Sequence, residues 1–119
     1  MKFLCLVYLE PATMAALSPT EGATLDRDSI AYDKELTGTG HYIVSDALQP
    51  TTTARTVRVR RGKTIKTDGP FAETKEVLGG FILINASNMD EAVALAEKIP
   101  MAKHGTIEVR PIMKITPDR

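Results

Sequence analysis

Two helix-patterned segments, each flanked by short β-rich runs, restrict this chain more than any other feature. The first run, Lys2–Leu9, is apolar, β-branched and aromatic, and Glu10-Pro11 closes it. Leu17-Ser18-Pro19-Thr20-Glu21 reads as a helix start: Ser18 can cap, Pro19 fits the first helical position, and Glu21 completes a capping box. The spacing predicts a helix to about Thr37, with Leu25, Ser29, Tyr32 and Leu36 on one face and Asp26, Arg27, Asp33 and Lys34 outward. Gly38 and Gly40 end it. A strand over about His41–Ala47 follows, closed by Leu48-Gln49-Pro50. Thr56–Arg61 and Lys63–Thr67 are expected to form a hairpin around Arg61-Gly62, and Asp68-Gly69-Pro70 is a strong turn. The chain then reads as a strand over about Leu78–Asn85, a helix from about Asn88 to Lys98 capped by Ser87 or Asn88, and a last strand, Thr106–Ile115. The second helix carries its apolar stripe on Ala92, Leu95, Ala96 and Ile99, and Pro100 stops it.

The order β-α-β, hairpin, β-α-β points to an α+β fold: a ferredoxin-like split β-α-β antiparallel sheet with an inserted β-hairpin. Two helices cover one face of such a sheet, so the other needs a cover, most simply a second copy; a homodimer is expected. A length of 119 residues matches one domain spanning 1–119. The single cysteine permits no internal disulfide and fits a reducing, cytoplasmic setting. With only two histidines, far apart, a four-ligand zinc site is not expected, nor is a cofactor. The run Phe3–Leu9 is too short to span a bilayer, and a buried first strand explains it better than a signal peptide.

The 15 basic residues balance the 15 acidic ones, which argues against a general nucleic-acid binder. The balance is uneven along the chain: residues 1–50 carry a net −4, 51–67 a net +6 and 68–119 a net −2. The basic stretch holds Arg55, Arg58, Arg60, Arg61, Lys63 and Lys66 without an acid or an aromatic residue. Thr56, Arg58 and Arg60 share one strand face, Val57 and Val59 the other, the pattern of a solvated edge protected by charge. Alternatively it meets an acidic partner protein or an anionic ligand.

The residues after this hairpin form the candidate site. Asp68 can serve as a turn residue, or as a carboxylate held by backbone amides and acting as base or anchor. Glu73, Lys75 and Glu76 follow closely; they are a solvated loop, or Glu73 and Lys75 are a fixed pair with Lys75 facing an anion. Phe71 reads first as a core or dimer plug. His104, beside Gly105 at the mouth of the last strand, is either a packing residue or an acid–base group oriented by Asp68 or Glu73. Arg110 pairs with Glu108 or clamps an anion, and Tyr8 lies in the core or lines a pocket. Cys5, in an apolar strand without a basic neighbour, is expected to be buried and inert.

The segment Thr67-Asp68-Gly69-Pro70-Phe71-Ala72-Glu73-Thr74-Lys75-Glu76, followed by Leu78-Gly79-Gly80-Phe81, resembles the signature of the YCII-related (DGPF) family. Leu48-Gln49-Pro50, Thr56–Arg60 and His104–Pro111 fit its longer branch, so the resemblance covers nearly the whole chain. It implies a dimeric ferredoxin-like fold of the dimeric α/β-barrel type, often encoded in bacteria beside extracytoplasmic-function sigma factors, and implies no settled activity. His41 stands where the family is usually apolar or Gly-rich, so no catalytic histidine is carried to it. The expectation is a small pocket near the Asp68–Glu76 loop. It would bind an anionic or carbonyl-bearing molecule, with Asp68, Glu73 and His104 as catalytic groups in metal-free acid–base chemistry and Lys75, Arg110, Phe71 and Tyr8 as substrate contacts. The competing expectation is a non-catalytic regulatory module in a sigma-factor pathway.

Overall fold

A computed structural model of the chain describes residues 1–118. Strands β1 (Lys2–Leu9), β2 (Tyr42–Ala47), β5 (Val77–Asn85) and β6 (Thr106–Pro111) form one antiparallel sheet in the order β2-β5-β1-β6. This is the ferredoxin-like arrangement expected from the element order. Strands β3 (Arg55–Arg60) and β4 (Lys63–Asp68) pair only with each other, as a separate two-stranded sheet. The connecting helices are α1 (Pro11–Ala15), α2 (Pro19–Gly38) and α3 (Met89–Ala96).

Local chemistry explains the boundaries. The Ser18 hydroxyl accepts from the Glu21 amide at 3.1 Å, and the Glu21 carboxylate accepts from the Ser18 amide at 3.0 Å, so the expected capping box forms with Pro19 in the first turn. These bonds hold the Glu21 carboxyl below the usual carboxylate range, the bond from the Ser18 backbone contributing most. Asn88 caps α3 by accepting from the Glu91 amide at 2.9 Å. The hairpin turns on Arg61 (φ 53°) and Gly62 (φ 74°), two successive left-handed residues that match the twist of the flanking strands.

Two boundaries differ from expectation. Pro11, read as a strand stop, also starts a single helical turn, α1, because proline suits the first helical position. The last strand ends at Pro111 rather than Ile115: β1 begins at Lys2, and beyond the Phe3–Pro111 pair the Ile112 amide donates to the Lys2 carbonyl at 2.9 Å.

The core lies between the sheet and the helices. Phe3, Cys5 and Val7 alternate inward from β1, opposite Ile84, Ile82 and Gly80 of β5. Leu25, Tyr32 and Leu36 of α2 and Ala92 and Ala96 of α3 cover them. Tyr32 satisfies its buried hydroxyl by donating to the Leu95 carbonyl at 2.6 Å, and burial pushes its pKa up to about 12. Burial likewise pushes the Cys5 thiol up to about 11. On the opposite face, Leu4 and Leu6 stand across from Leu83 and Phe81, half-buried and without a covering layer.

Candidate functional site

A cleft of about 490 Å³ opens where the ends of β1, β2 and β5 meet α1 and α2. Its apolar wall includes Val7, Leu9, Met14, Leu25 and Ile82. Its floor depends on Gly79-Gly80. Strand β1 slips register between Val7 and Tyr8, so Gly79 is the unpaired residue of a bulge against β5. A Cβ on Gly80 would stand 2.9 Å from the Asp46 carbonyl oxygen, and one on Gly79 would strike the Leu9 side chain. Two glycines here let three strand ends close around the cleft.

The polar wall comes from α2 and β2. Asp26, Ser29 and Asp33 face the cleft along α2 at i, i+3 and i+7; Ser45 faces it from β2, where Asp46 contributes its backbone and, opposite Phe81, turns its side chain to the other sheet face. Ser45 donates to Asp33 Oδ2 at 2.9 Å, and Tyr42 Oη lies 2.8 Å from Ser45 Oγ. A serine hydroxyl has one proton, and Ser45 gives it to the carboxylate, so the Tyr42 hydroxyl is the donor in the second bond. The chain runs Tyr42 O–H to Ser45 O–H to Asp33 carboxylate. Among the described residues these bonds engage Asp33 through Oδ2, leaving Oδ1 to a ligand. Among the described residues, two aspartate carboxylates, Asp26 and Asp33, and no cation face this cleft.

The residues singled out from the sequence lie elsewhere. Asp68 ends β4 and meets Arg55 across the hairpin, Nε to Oδ1 3.2 Å, with both side chains exposed. Its carboxylate is held by this guanidinium rather than by the backbone amides considered from the sequence. The turn itself is built as read: Gly69 adopts φ 92°, its amide donates to the Ala54 carbonyl at 2.7 Å, and Thr56 donates to the Gly69 carbonyl at 2.9 Å. Phe71 is 78% exposed, not a plug within its own chain. Glu73 and Lys75 are exposed, and among the described residues they form no ion pair with each other. Glu76 accepts from the Thr106 hydroxyl at 3.1 Å, tying the end of the loop to β6.

His104 lines a second cleft of about 250 Å³ with Thr20, Glu21, Thr24, Asp28 and Lys103, and its charge also helps lower the Glu21 pKa. Gly105 beside it is forced by backbone contact, since a Cβ there would collide with the Tyr8 carbonyl oxygen. Tyr8 stands between Leu78 and Thr106 in the sheet; Arg110 stands opposite Leu4 on the edge strand, without an ion pair to Glu108 among the described residues. Neither cleft is lined by any residue of 68–76, so within one chain Asp68 and Glu73 do not join His104 around either cavity. His41 has a structural setting: Nδ1 lies 2.9 Å from the Asn85 carbonyl oxygen and 3.9 Å from Glu91.

Asp26 and Asp33, read from the sequence as facing outward, line the larger cleft instead. Asp26, Ser29 and Asp33 repeat at helical spacing beside the apolar stripe, and Ser45 interrupts an otherwise inward-facing strand position.

The model of the YCII-related domain matches residues 1–116. The chain belongs to the YCII-related family. It is 38% identical over 119 residues to an uncharacterized protein of Rhizobium meliloti (strain 1021), covering 98% of this chain and 96% of that protein. It is similar in structure to a 5-chloro-2-hydroxyhydroquinone dehydrochlorinase from Burkholderia phenoliruptrix, solved in complex with 2,5-dihydroxybenzoquinone. That likeness has a TM-score of 0.56 at 17% identity and covers 95% of this chain and 94% of the other, so it concerns the fold. Within this family fold, the paired glycines of Leu78-Gly79-Gly80-Phe81 have a physical reason at the cleft floor. Among the described residues, no helix is long and apolar enough to cross a membrane.

Proposed function

We propose that this YCII-related protein binds a small, uncharged molecule bearing a carbonyl or hydroxyl group in the 490 Å³ cleft, with Asp33 as the acid–base group. The observation that carries this reading is the hydrogen-bonded chain from Tyr42 through Ser45 to Asp33 in the cleft wall. Ser45 fixes one carboxylate oxygen, so the other is held in place to accept a proton from a ligand hydroxyl or an acidic C–H. The volume suits a small ligand, and the apolar wall with few converging polar groups is the usual make-up of such a site. The likeness to a dehydrochlorinase solved with 2,5-dihydroxybenzoquinone supports a small ring bearing carbonyl and hydroxyl groups, without bearing on its charge. The lining favours a neutral ligand over an anionic one, because the Asp26 and Asp33 carboxylates would repel a negative charge.

Hydroxyhydroquinone, kept under anaerobic conditions, is a suitable neutral probe, with benzoate as its anionic counterpart. Thermal shift and calorimetry should show stabilisation by hydroxyhydroquinone, little by benzoate, and at least tenfold weaker binding in Asp33→Asn. Equal binding of the neutral probe by wild type and D33N, or preference for benzoate, would remove Asp33 from the site.

The half-buried sheet face of Leu4, Leu6, Phe81 and Leu83 supports a homodimer as the working assembly. The exposed cations of the β3–β4 hairpin favour a second reading, an interaction module that meets an acidic protein of a sigma-factor pathway. Under that reading, retention of such a partner would depend on Arg58 and Arg60 and would survive D33N.

A further inference from the structure

The hairpin does not behave as part of the body that carries it. A chain of this length is expected to have a radius of gyration of about 13.5 Å, whereas this one measures 16.6 Å, with extents of 47 × 45 × 18 Å. Its accessible surface is 8658 Å², against about 6,300 Å² for a compact monomer of 13.0 kDa. The excess, roughly 2,300 Å², exceeds the approximately 800 Å² that one partner gives to a standard interface. Much of it is the arm, an isolated two-stranded ribbon of a kind only marginally stable without a packing partner. Val57 and Val59 are each 60% exposed, Ile65 is 48% exposed, and Phe71 just beyond the arm is more exposed still.

Charge and position indicate where this surface goes. The arm from Arg55 to Asp68 carries six cations and one acid. The cleft wall carries the carboxylates of Asp26 and Asp33, and among the described residues no cation lines it. The arm leaves the body after Ala47 and re-enters at Val77, beside Leu48 and Gly79, which line that same cleft. Each strand of the arm reaches roughly 20 Å, and neither pairs with a strand of the body.

We propose that the arm is exchanged between two copies of this chain. The β3–β4 ribbon of one copy packs its valines on the other and sets its cations against Asp26, the exposed carboxylate of the cleft wall, leaving Asp33 to the ligand. The Asp68–Glu76 loop, remote from both clefts of its own chain, then acts at the cleft of its partner. Exchange adds to the sheet-face dimer proposed above without depending on which ligand the cleft holds.

Sedimentation of the full chain at micromolar concentration tests this directly. The wild type should be dimeric, and Arg58→Glu with Arg60→Glu should weaken the dimer at least tenfold. Mixing that variant with a chain carrying Asp26→Lys should restore a mixed dimer. The proposal fails if the wild type is monomeric, or if R58E/R60E leaves dimer affinity unchanged; the latter would preserve a dimer held by the sheet face alone. It also fails if the wild type stays monomeric while retaining polyglutamate, which would assign the arm to an acidic partner. Hydroxyhydroquinone binding by the variants reports on the cleft separately, so loss of exchange and loss of the cleft reading are distinguishable.

Discussion

The body and the arm are both made of antiparallel strands with alternating side chains, yet only the body buries them. In β1 the alternation delivers Phe3, Cys5 and Val7 beneath two helices, each at most 8% exposed. In β3 the same period sets Val57 and Val59 between arginines, and both remain open to solvent. Alternation specifies two faces; it does not supply the second layer that makes one of them a core. The core beneath the helices is therefore stabilised within one chain, and under the exchange proposed above the apolar residues of the arm are covered by a neighbour.

The largest effect that sharpens this contrast is cavity formation. Ile84→Ala should cost about 2–5 kcal/mol because Ile84 is fully enclosed at the sheet–helix interface. Val59→Ala should cost less than about 0.5 kcal/mol in the dissociated chain, as for other exposed positions. Chemical denaturation at low protein concentration measures both; comparable losses would mean that the arm is packed within its own chain.

Next come the polar anchors. Ser18→Ala removes the cap of α2 and should cost about 1 kcal/mol, whereas Asp68→Ala breaks only the exposed pair with Arg55 and should cost under about 1 kcal/mol, fading with salt. The two also differ with pH. The folded state holds the Glu21 carboxyl below its ordinary range, so its contribution is present above that range and is lost as pH falls through the depressed value. Glu21→Gln should flatten the acid limb of the stability profile; an unchanged limb would show that the capping box is not formed in solution.

The smallest effect is chemical. Cys5, buried and with its thiol raised to about 11, should resist alkylation at pH 8 until the chain unfolds. A cysteine introduced by Val59→Cys should react at once in dissociated protein and be protected in the dimer. The raised thiol also means that this part of the body's stability is complete below the ordinary thiol range and declines as pH rises toward 11.

Much of the architecture was legible from local chemistry. The Ser18–Glu21 box, the Asn88 cap, the Arg61-Gly62 turn and the apolar alternation of β1 act within a few residues, so the string of residues already contains their partners. The one-turn helix at Pro11 was not, because proline serves equally as a strand stop and a helix start. The candidate site was less legible. The dense run of charged and turn residues from Asp68 to Glu76 drew attention to a loop that its own chain leaves outside both clefts. Asp33 and Ser45 carried no such signal, since an aspartate on a helix and a serine in a strand are ordinary in isolation.

By itself the sequence determined the order and kind of the elements, the hairpin turn and the polarity of the arm, all of which follow from short-range sterics, capping and alternation. The tertiary structure alone decided that Ser45 of β2 meets Asp33 of α2, that Gly79 and Gly80 admit three strand ends around a cleft, and that the arm stands apart from the core. Those outcomes depend on how helix and sheet pack across a distance, where side chains far apart along the chain share one volume and exclude water from it.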